Sequence, residues 1–223
     1  MARLDVPRFV RIWNYIPDIN AGSDDAECYR QFCWGRAEAL EDYSLPAATG
    51  VGSKDGWLRI SALCTGAADL PDSIGIEHLE NVRQVSAYNY PRDYGPRSPS
   101  FARATLVSPA PTPNAAAADP SPQSLLLVSG TSSIVQHQTM HPGNLPAQIA
   151  ETVQNLQALF TGLQPVSEPE PLALRFYLRD PKALPVARAS WTANAGRWLA
   201  PAWYQADICR ADLTMEVEGV FQV

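Results

Sequence analysis

The sequence predicts an α+β fold, a β-β-α-β-α-β unit preceded by half of a second such unit. Three observations carry that expectation. The C-terminal run QADICRADLTMEVEG (205–219) ends in period-two alternation. It sends Leu213, Met215 and Val217 one way and Thr214, Glu216 and Glu218 the other, the pattern of a half-buried strand. The run LPAQIAETVQNLQALF (145–160) puts Ile149, Val153, Leu156 and Phe160 on one helical face, with Pro146 near the start and Gly162 beyond the end. Finally, residues 45–64 (LPAATGVGSKDGWLRISALC) and 200–219 (APAWYQADICRADLTMEVEG) align without a gap. Pro46 falls on Pro201, Leu58 on Leu213, Ile60 on Met215 and Ala62 on Val217, so one supersecondary unit occurs twice.

The other elements follow in chain order. Residues 8–16 (RFVRIWNYI) read as a strand stopped by Pro17-Asp18. Ser23 is a candidate N-cap for a helix through residue 40, with acids in its first turn and Tyr29, Phe32, Cys33 and Ala37 at helical spacing. An extended segment from Leu45 leads through Lys54-Asp55-Gly56 into a strand over 57–64. Strands are expected at 101–107 and 124–129, separated by a Pro/Ala-rich stretch, 108–123, that reads as a disordered hairpin loop. A strand at 173–178 and a short helix at 184–197 precede the terminal strand. The expected organisation is a half-unit over 1–66, a connector over 67–100 and a complete unit over 101–223. The half-unit must pair with the complete unit, with another chain, or with a segment outside this sequence.

Composition limits the function classes. A hydrophobic content of 46% can fill a core, and a net charge of −6 argues against nucleic-acid binding, which needs a basic face. Four cysteines (28, 33, 64 and 209) lack zinc-site spacing and read as free thiols of a reducing cytoplasm, with no metal expected. His137 and His141 are four apart, but Pro142-Gly143 interrupts any helix that would pair them on a metal. No N-terminal leader or membrane span is evident, so a cytoplasmic protein is expected.

The repeat also singles out two carboxylates. Where the second copy has Glu216 and Glu218, the first has Ser61 and Leu63. A folding requirement would act on both copies, so acids present in one alone point to function. Otherwise they would lie on a solvated sheet face.

Several motifs carry a family resemblance: RIWNYIPDIN (11–20), YRQFCWGRAEAL (29–40), LPAATGVG (45–52), YGPRSPSFARA (94–104), LVSGTSSIVQHQTMHPG (127–143) and ADICRADLTMEVEG (206–219). The element order resembles the RidA/YjgF-like (chorismate mutase-like) fold. The motifs together resemble the chorismatases, enzymes with two RidA-like units that release pyruvate from chorismate. Gln136 and Gln138 depart from the family run, which has Gly and Glu there. The resemblance implies no cofactor, a small-molecule substrate (chorismate), neither nucleic-acid nor membrane partner, and a monomer or RidA-like trimer. It makes Glu216 the general acid that protonates the enolpyruvyl methylene, a task needing a carboxyl kept protonated by burial. Glu218, about 7 Å away along the strand, should matter less to that than desolvation.

A dicarboxylate substrate calls for arginines, whose planar fork binds carboxylates bidentately. Arg103 is the first choice, with Arg97 and Arg188 beside it; Arg210 reads as a structural partner of Asp212. Tyr94 could offer a phenol, and Gly130, Thr131 and Ser132 could supply N–H groups and hydroxyls near the ring. Cys209 resembles the branch making 3-hydroxybenzoate, with a branch releasing 3- and 4-hydroxybenzoate also open. Two alternatives remain, a RidA-like imine deaminase and a non-catalytic metabolite-binding remnant. Against the imine deaminase, Trp203 stands where such proteins carry a ligand-binding arginine.

Overall fold

The computed structural model describes residues 8–65, 74–109, 123–163, 169–196, 198 and 200–223. Most of the proposed 108–123 loop, from 110 to 122, lies outside the described residues.

The N-terminal elements are β1 (Phe9–Pro17), α1 (Cys28–Ala39), β2 (Ala47–Ser53) and β3 (Arg59–Cys64), and they form a three-stranded sheet of order β2-β1-β3. After them come β4 (Ile74–Leu79), β5 (Ala104–Pro109), β6 (Leu125–Thr131), the small hairpin β7 (Ile134–Val135) and β8 (Gln138–Thr139), and α2 (Leu145–Thr161). The chain ends with β9 (Glu170–Leu178), α3 (Leu184–Ala195), β10 (Ala202–Gln205) and β11 (Met215–Gln222). These build a six-stranded sheet of order β10-β9-β11-β6-β5-β4. The stretch expected to be only a connector therefore contributes a strand, β4, which pairs antiparallel with β5. Its residues alternate weakly, and Gly75 hides the β signal.

Ser23 is not the cap of α1. A short 3-10 turn, Asp24–Ala26, intervenes with Asp24 at φ 49°, and α1 starts at Cys28. In α2 the expected face is buried, Asn144 caps the start by accepting from the Ala147 N–H at 3.1 Å, and Gly162 ends the helix at φ −72°. The right-handed φ means this glycine closes the helix without the left-handed turn usual for C-terminal glycines. Helices α2 and α3 cover one face of the large sheet, where Leu126, Ile149, Leu156, Phe176, Met215 and Phe221 are all fully buried. Each such side chain contributes roughly 1.5–3 kcal/mol of burial free energy.

The repeat is present in the strand pairing. β2 runs parallel to β1 as β10 does to β9, and β3 runs antiparallel to β1 as β11 does to β9. Ala47 lies opposite Arg11, and its counterpart Ala202 lies opposite Arg175, so those two arginines are equivalent. The copies differ in what flanks the last strand. β11 is held between β9 and β6, whereas among the described strands β3 pairs with β1 alone. Leu58 and Ile60 are accordingly 50% and 58% exposed, where Leu213 and Met215 are fully buried.

The half-unit docks on the complete unit through β2. The Ala47 N–H donates to Thr105 Oγ1 (3.0 Å), the Ala48 N–H to Ser129 Oγ (2.8 Å), and the Gly52 N–H to the Asp207 carbonyl (2.7 Å). Of the three partners open to residues 1–64 on sequence, the complete unit is the one β2 meets. A cavity lies at that junction.

Candidate active site

Strand β11 brings its two acids to the junction. Neither lies on a solvated face, since Glu216 is 4% and Glu218 2% exposed. Glu218 accepts four hydrogen bonds. Arg11 Nη2 (2.6 Å) and the Thr49 hydroxyl reach Oε2, while Arg175 Nη1 and the Tyr177 hydroxyl, both at 2.9 Å, reach Oε1. The two repeat-equivalent arginines thus converge on one carboxylate.

Glu216 is the opposite case. Its Oε1 is buried without a hydrogen-bond partner among the described residues. Burial pushes its carboxyl up to about 8, and the negative Glu218 adds to the rise, while Arg11 and Arg103 oppose it. Desolvation outweighs the neighbouring acid, as the spacing along the strand predicts. Glu216 is therefore largely protonated at neutral pH.

The carboxyl faces a cavity of 390 Å³ at the junction of the two sheets. Its wall carries four arginines, Arg30 and Arg36 from α1, Arg103 ahead of β5 and Arg210 ahead of β11. Three of these are held by the fold yet, among the described residues, keep an unpaired nitrogen. Arg36 donates to the Ser100 carbonyl (3.0 Å) and Asn14 Oδ1 (3.1 Å), leaving Nη2 unpartnered. Arg103 donates to the Val85 carbonyl (2.9 Å) and the Tyr90 hydroxyl (2.8 Å), leaving Nε, and lies over the Phe101 ring. Arg210 donates to the His137 carbonyl (2.8 Å), leaving Nη2, with its guanidinium 4.0 Å from the Tyr94 ring centroid. A buried donor with no partner costs on the order of 1–3 kcal/mol, more when charged. A polyanionic ligand would recover that cost.

Several expected residues meet here: Arg103, Tyr94, Gly130, Ser132, Cys209 and Glu216 all line the cavity. Thr131 is buried beside it but turns its hydroxyl to the Ser129 carbonyl (2.9 Å). Arg97 is exposed and off the cavity wall. Arg188 is exposed on α3, its guanidinium 5.9 Å from the Trp203 ring centroid. Both sat in favourable local sequence, but helix direction and loop path turn them outward. Arg210 is the converse. It reads as a partner of Asp212, whereas Asp212 accepts from Thr139 (3.1 Å) and Arg210 faces the cavity. Sequence reasoning also passed over Tyr90 and Arg36. The arginine signal for Arg36 lay inside the quoted motif YRQFCWGRAEAL, on the face of α1 that the junction covers.

The cysteines on the wall are not ionised nucleophiles, because burial pushes the thiols of Cys33 and Cys209 up to about 12. His137 and His141 do not face one another over a metal. They pair with Tyr94 (3.3 Å) and Glu151 (3.3 Å) respectively, and no cluster of metal-ligating side chains occurs among the described residues. Gln136, where the resembling run has glycine, takes φ 54°, a conformation glycine adopts without strain.

Comparison with known proteins finds similarity along nearly the whole chain. Residues 1–64 match the family described as chorismatase FkbO/Hyg5-like, N-terminal. The chain is 36% identical to a 3-hydroxybenzoate synthase of Streptomyces hygroscopicus over 94% of its own length and 62% of that protein's. It is 34% identical to a chorismatase of Streptomyces rapamycinicus over 97% of its length and 65% of that protein's. A chorismatase crystal structure superposes with a TM-score of 0.77 at 30% identity, covering 97% of this chain and 64% of that one. The chain thus spans a little under two-thirds of the length of these relatives. No described helix is long and apolar enough to cross a membrane. In sequence and in fold, along nearly all of its own length, the chain is similar to these chorismatases.

Proposed function

We propose that the chain cleaves the enolpyruvyl ether of chorismate, releasing pyruvate and 3-hydroxybenzoate, with Glu216 as the general acid. The observation that carries this reading is the buried Glu216 carboxyl, its Oε1 without a partner among the described residues, facing a cavity walled by arginines. Chorismate is a dianion whose acid-labile bond is an enol ether. Arg36, Arg103 and Arg210 offer free N–H groups for its two carboxylates. Glu216 delivers its proton to the enolpyruvyl methylene, and the resulting cation weakens the ring C–O bond. As pyruvate departs with the ether oxygen, the neighbouring ring hydroxyl closes on the vacated carbon as an epoxide, whose opening leaves the oxygen at the 3-position. The ring then loses a proton on becoming aromatic, which restores the acid. One proton enters and one leaves, and no water is consumed.

The test is incubation of the purified chain with chorismate, with pyruvate and aromatic products followed by chromatography. Hydroxybenzoate with equimolar pyruvate is expected, and the isomer identifies the branch. A folded chain that releases no pyruvate would overturn the reading. Because the acid must be protonated to act, turnover should fall as pH rises through about 8, the value to which burial lifts Glu216. A flat profile from pH 6 to 9, measured where the protein stays folded, would exclude Glu216 as the donor.

Arg36 supplies a third guanidinium from the half-unit. Burial lowers its pKa to about 10, so it remains charged at neutral pH. Arg36→Met should raise KM about 10- to 100-fold, the worth of a hydrogen bond to a charged group, with kcat little changed. An unaltered KM would remove Arg36 from the substrate site.

A further inference from the structure

We propose that Thr49 is a positioning residue: its hydroxyl, clamped between Arg11 and Glu218, fixes the Gly130 backbone against which the Glu216 carboxyl rests. The inference builds on the reading of Glu216 as the acid and adds that the half-unit sets where that acid stands.

A threonine hydroxyl has one proton and two acceptor lone pairs. At Thr49 all three are used. The proton goes to Glu218 Oε2, while the oxygen accepts from Arg11 Nη2 (2.5 Å) and from the Gly130 N–H (3.0 Å). The side chain has no spare hydrogen-bonding capacity, and the residue is 1% exposed. Asn14 secures the same residue from behind, its Nδ2 donating to the Thr49 carbonyl at 2.8 Å.

Gly130 is the link to the acid. A Cβ there would overlap Glu216 Oε1 and stand 2.6 Å from its Cδ, so the carboxyl lies directly on this Cα. The Gly130 N–H is bound to a side chain of the other sheet, so Thr49 sets the distance between backbone and carboxyl. A shift of β2 relative to β6 would move Glu216 Oε1 with respect to a bound ligand. Misplacement of a reacting group by about 1 Å can cost roughly 100-fold in rate.

The same clamp keeps charge around Glu216 in a fixed arrangement. Facing the carboxyl are Glu218 on its own strand, Arg11 on β1, Arg103 ahead of β5, Tyr29 on α1 and Cys209 ahead of β11. Glu218 and Arg11 act on Glu216 in opposite senses, and Thr49 touches both. Freeing either changes the balance that holds the proton.

The experiment uses three variants, Thr49→Val, Thr49→Ser and Glu216→Gln, with two readouts. One is kcat and KM for pyruvate release from chorismate. The other is the infrared band of the protonated Glu216 carboxyl, identified by its loss in Glu216→Gln and titrated without substrate. Thr49→Val should lower kcat roughly 10- to 100-fold with KM nearly unchanged. It should also move the band and the pH at which it disappears, and Thr49→Ser should restore both. A wild-type band and kcat in Thr49→Val would overturn the proposal, as would a rise in KM alone. If Thr49→Val does not fold, the same criteria apply to Thr49→Ala, which leaves room for water among the three partners. If the wild type releases no pyruvate, the reading of the reaction fails, while the band in the Thr49 variants still decides whether Thr49 positions Glu216.

Discussion

Glu216→Gln should abolish turnover and yet yield a more pH-resistant protein. Glutamine matches the shape of the acid but has no proton to give, so pyruvate release should fall about 100- to 10,000-fold, the usual worth of a positioned general acid. The stability change follows from the same shift. The Glu216 carboxyl is lifted from 4.5 to about 8 in the folded chain, so the native state holds this proton where the unfolded chain has lost it. Stability from the group is complete below about pH 4.5 and declines as pH rises towards 8. A glutamine does not titrate. Between pH 4.5 and 7 the variant should therefore gain on the wild type by the order of 3 kcal/mol. Urea unfolding of both proteins across that range checks it. Parallel curves would show that Glu216 is ionised in the native state and could not serve as the acid.

Glu218→Ala should destabilise the fold more than any of the Glu216, Thr49 or Arg36 substitutions. It strips the acceptor from Arg11, which is 2% exposed, and from the buried Thr49 and Tyr177 hydroxyls. An uncompensated buried charge costs about 3–5 kcal/mol. Arg175 adds little, because its side chain is 46% exposed and water can replace the lost partner. The measurement is the urea midpoint. The double variant Arg11→Met with Glu218→Leu should recover part of the loss, since apolar pairs commonly replace buried ion pairs at little cost. A single variant within about 1 kcal/mol of wild type would mean that the contacts between β1 and β11 do not hold the two sheets together. The pair of predictions assigns the adjacent acids opposite roles. Glu218 is saturated with donors and joins the sheets, while Glu216 has a free oxygen and weakens the fold at neutral pH. Such costs are common where function needs a poised group.

The sequence by itself determined the elements and the repeat. Period-two and period-3.6 patterns located β11 and α2 because they record which face of each element leaves water, and runs of strand-forming residues bounded by turn residues located β1 and β3, all local properties of the chain. The gapless alignment of 45–64 with 200–219 announced one supersecondary unit in two copies, and the strands of both copies pair alike although Leu58 and Ile60 are exposed where Leu213 and Met215 are buried. The asymmetry of Glu216 and Glu218 against Ser61 and Leu63 singled out both acids without showing that they differ. Only the tertiary structure separated them. Which acid keeps a free oxygen depends on Arg11 and Thr49, 207 and 169 residues from Glu218 in the chain, reaching across from the other sheet. The arginines divided in the same way. Motif position put Arg103 first, with Arg97 and Arg188 beside it, because a long flexible side chain leaves no periodic trace of its target. The docking of β2 on β5 and β6 closes the cavity over Arg36, Arg103 and Arg210 and leaves Arg97 and Arg188 in solvent. That docking rests on hydrogen bonds from backbone N–H groups to Thr105 and Ser129, contacts between chain segments that no local pattern encodes.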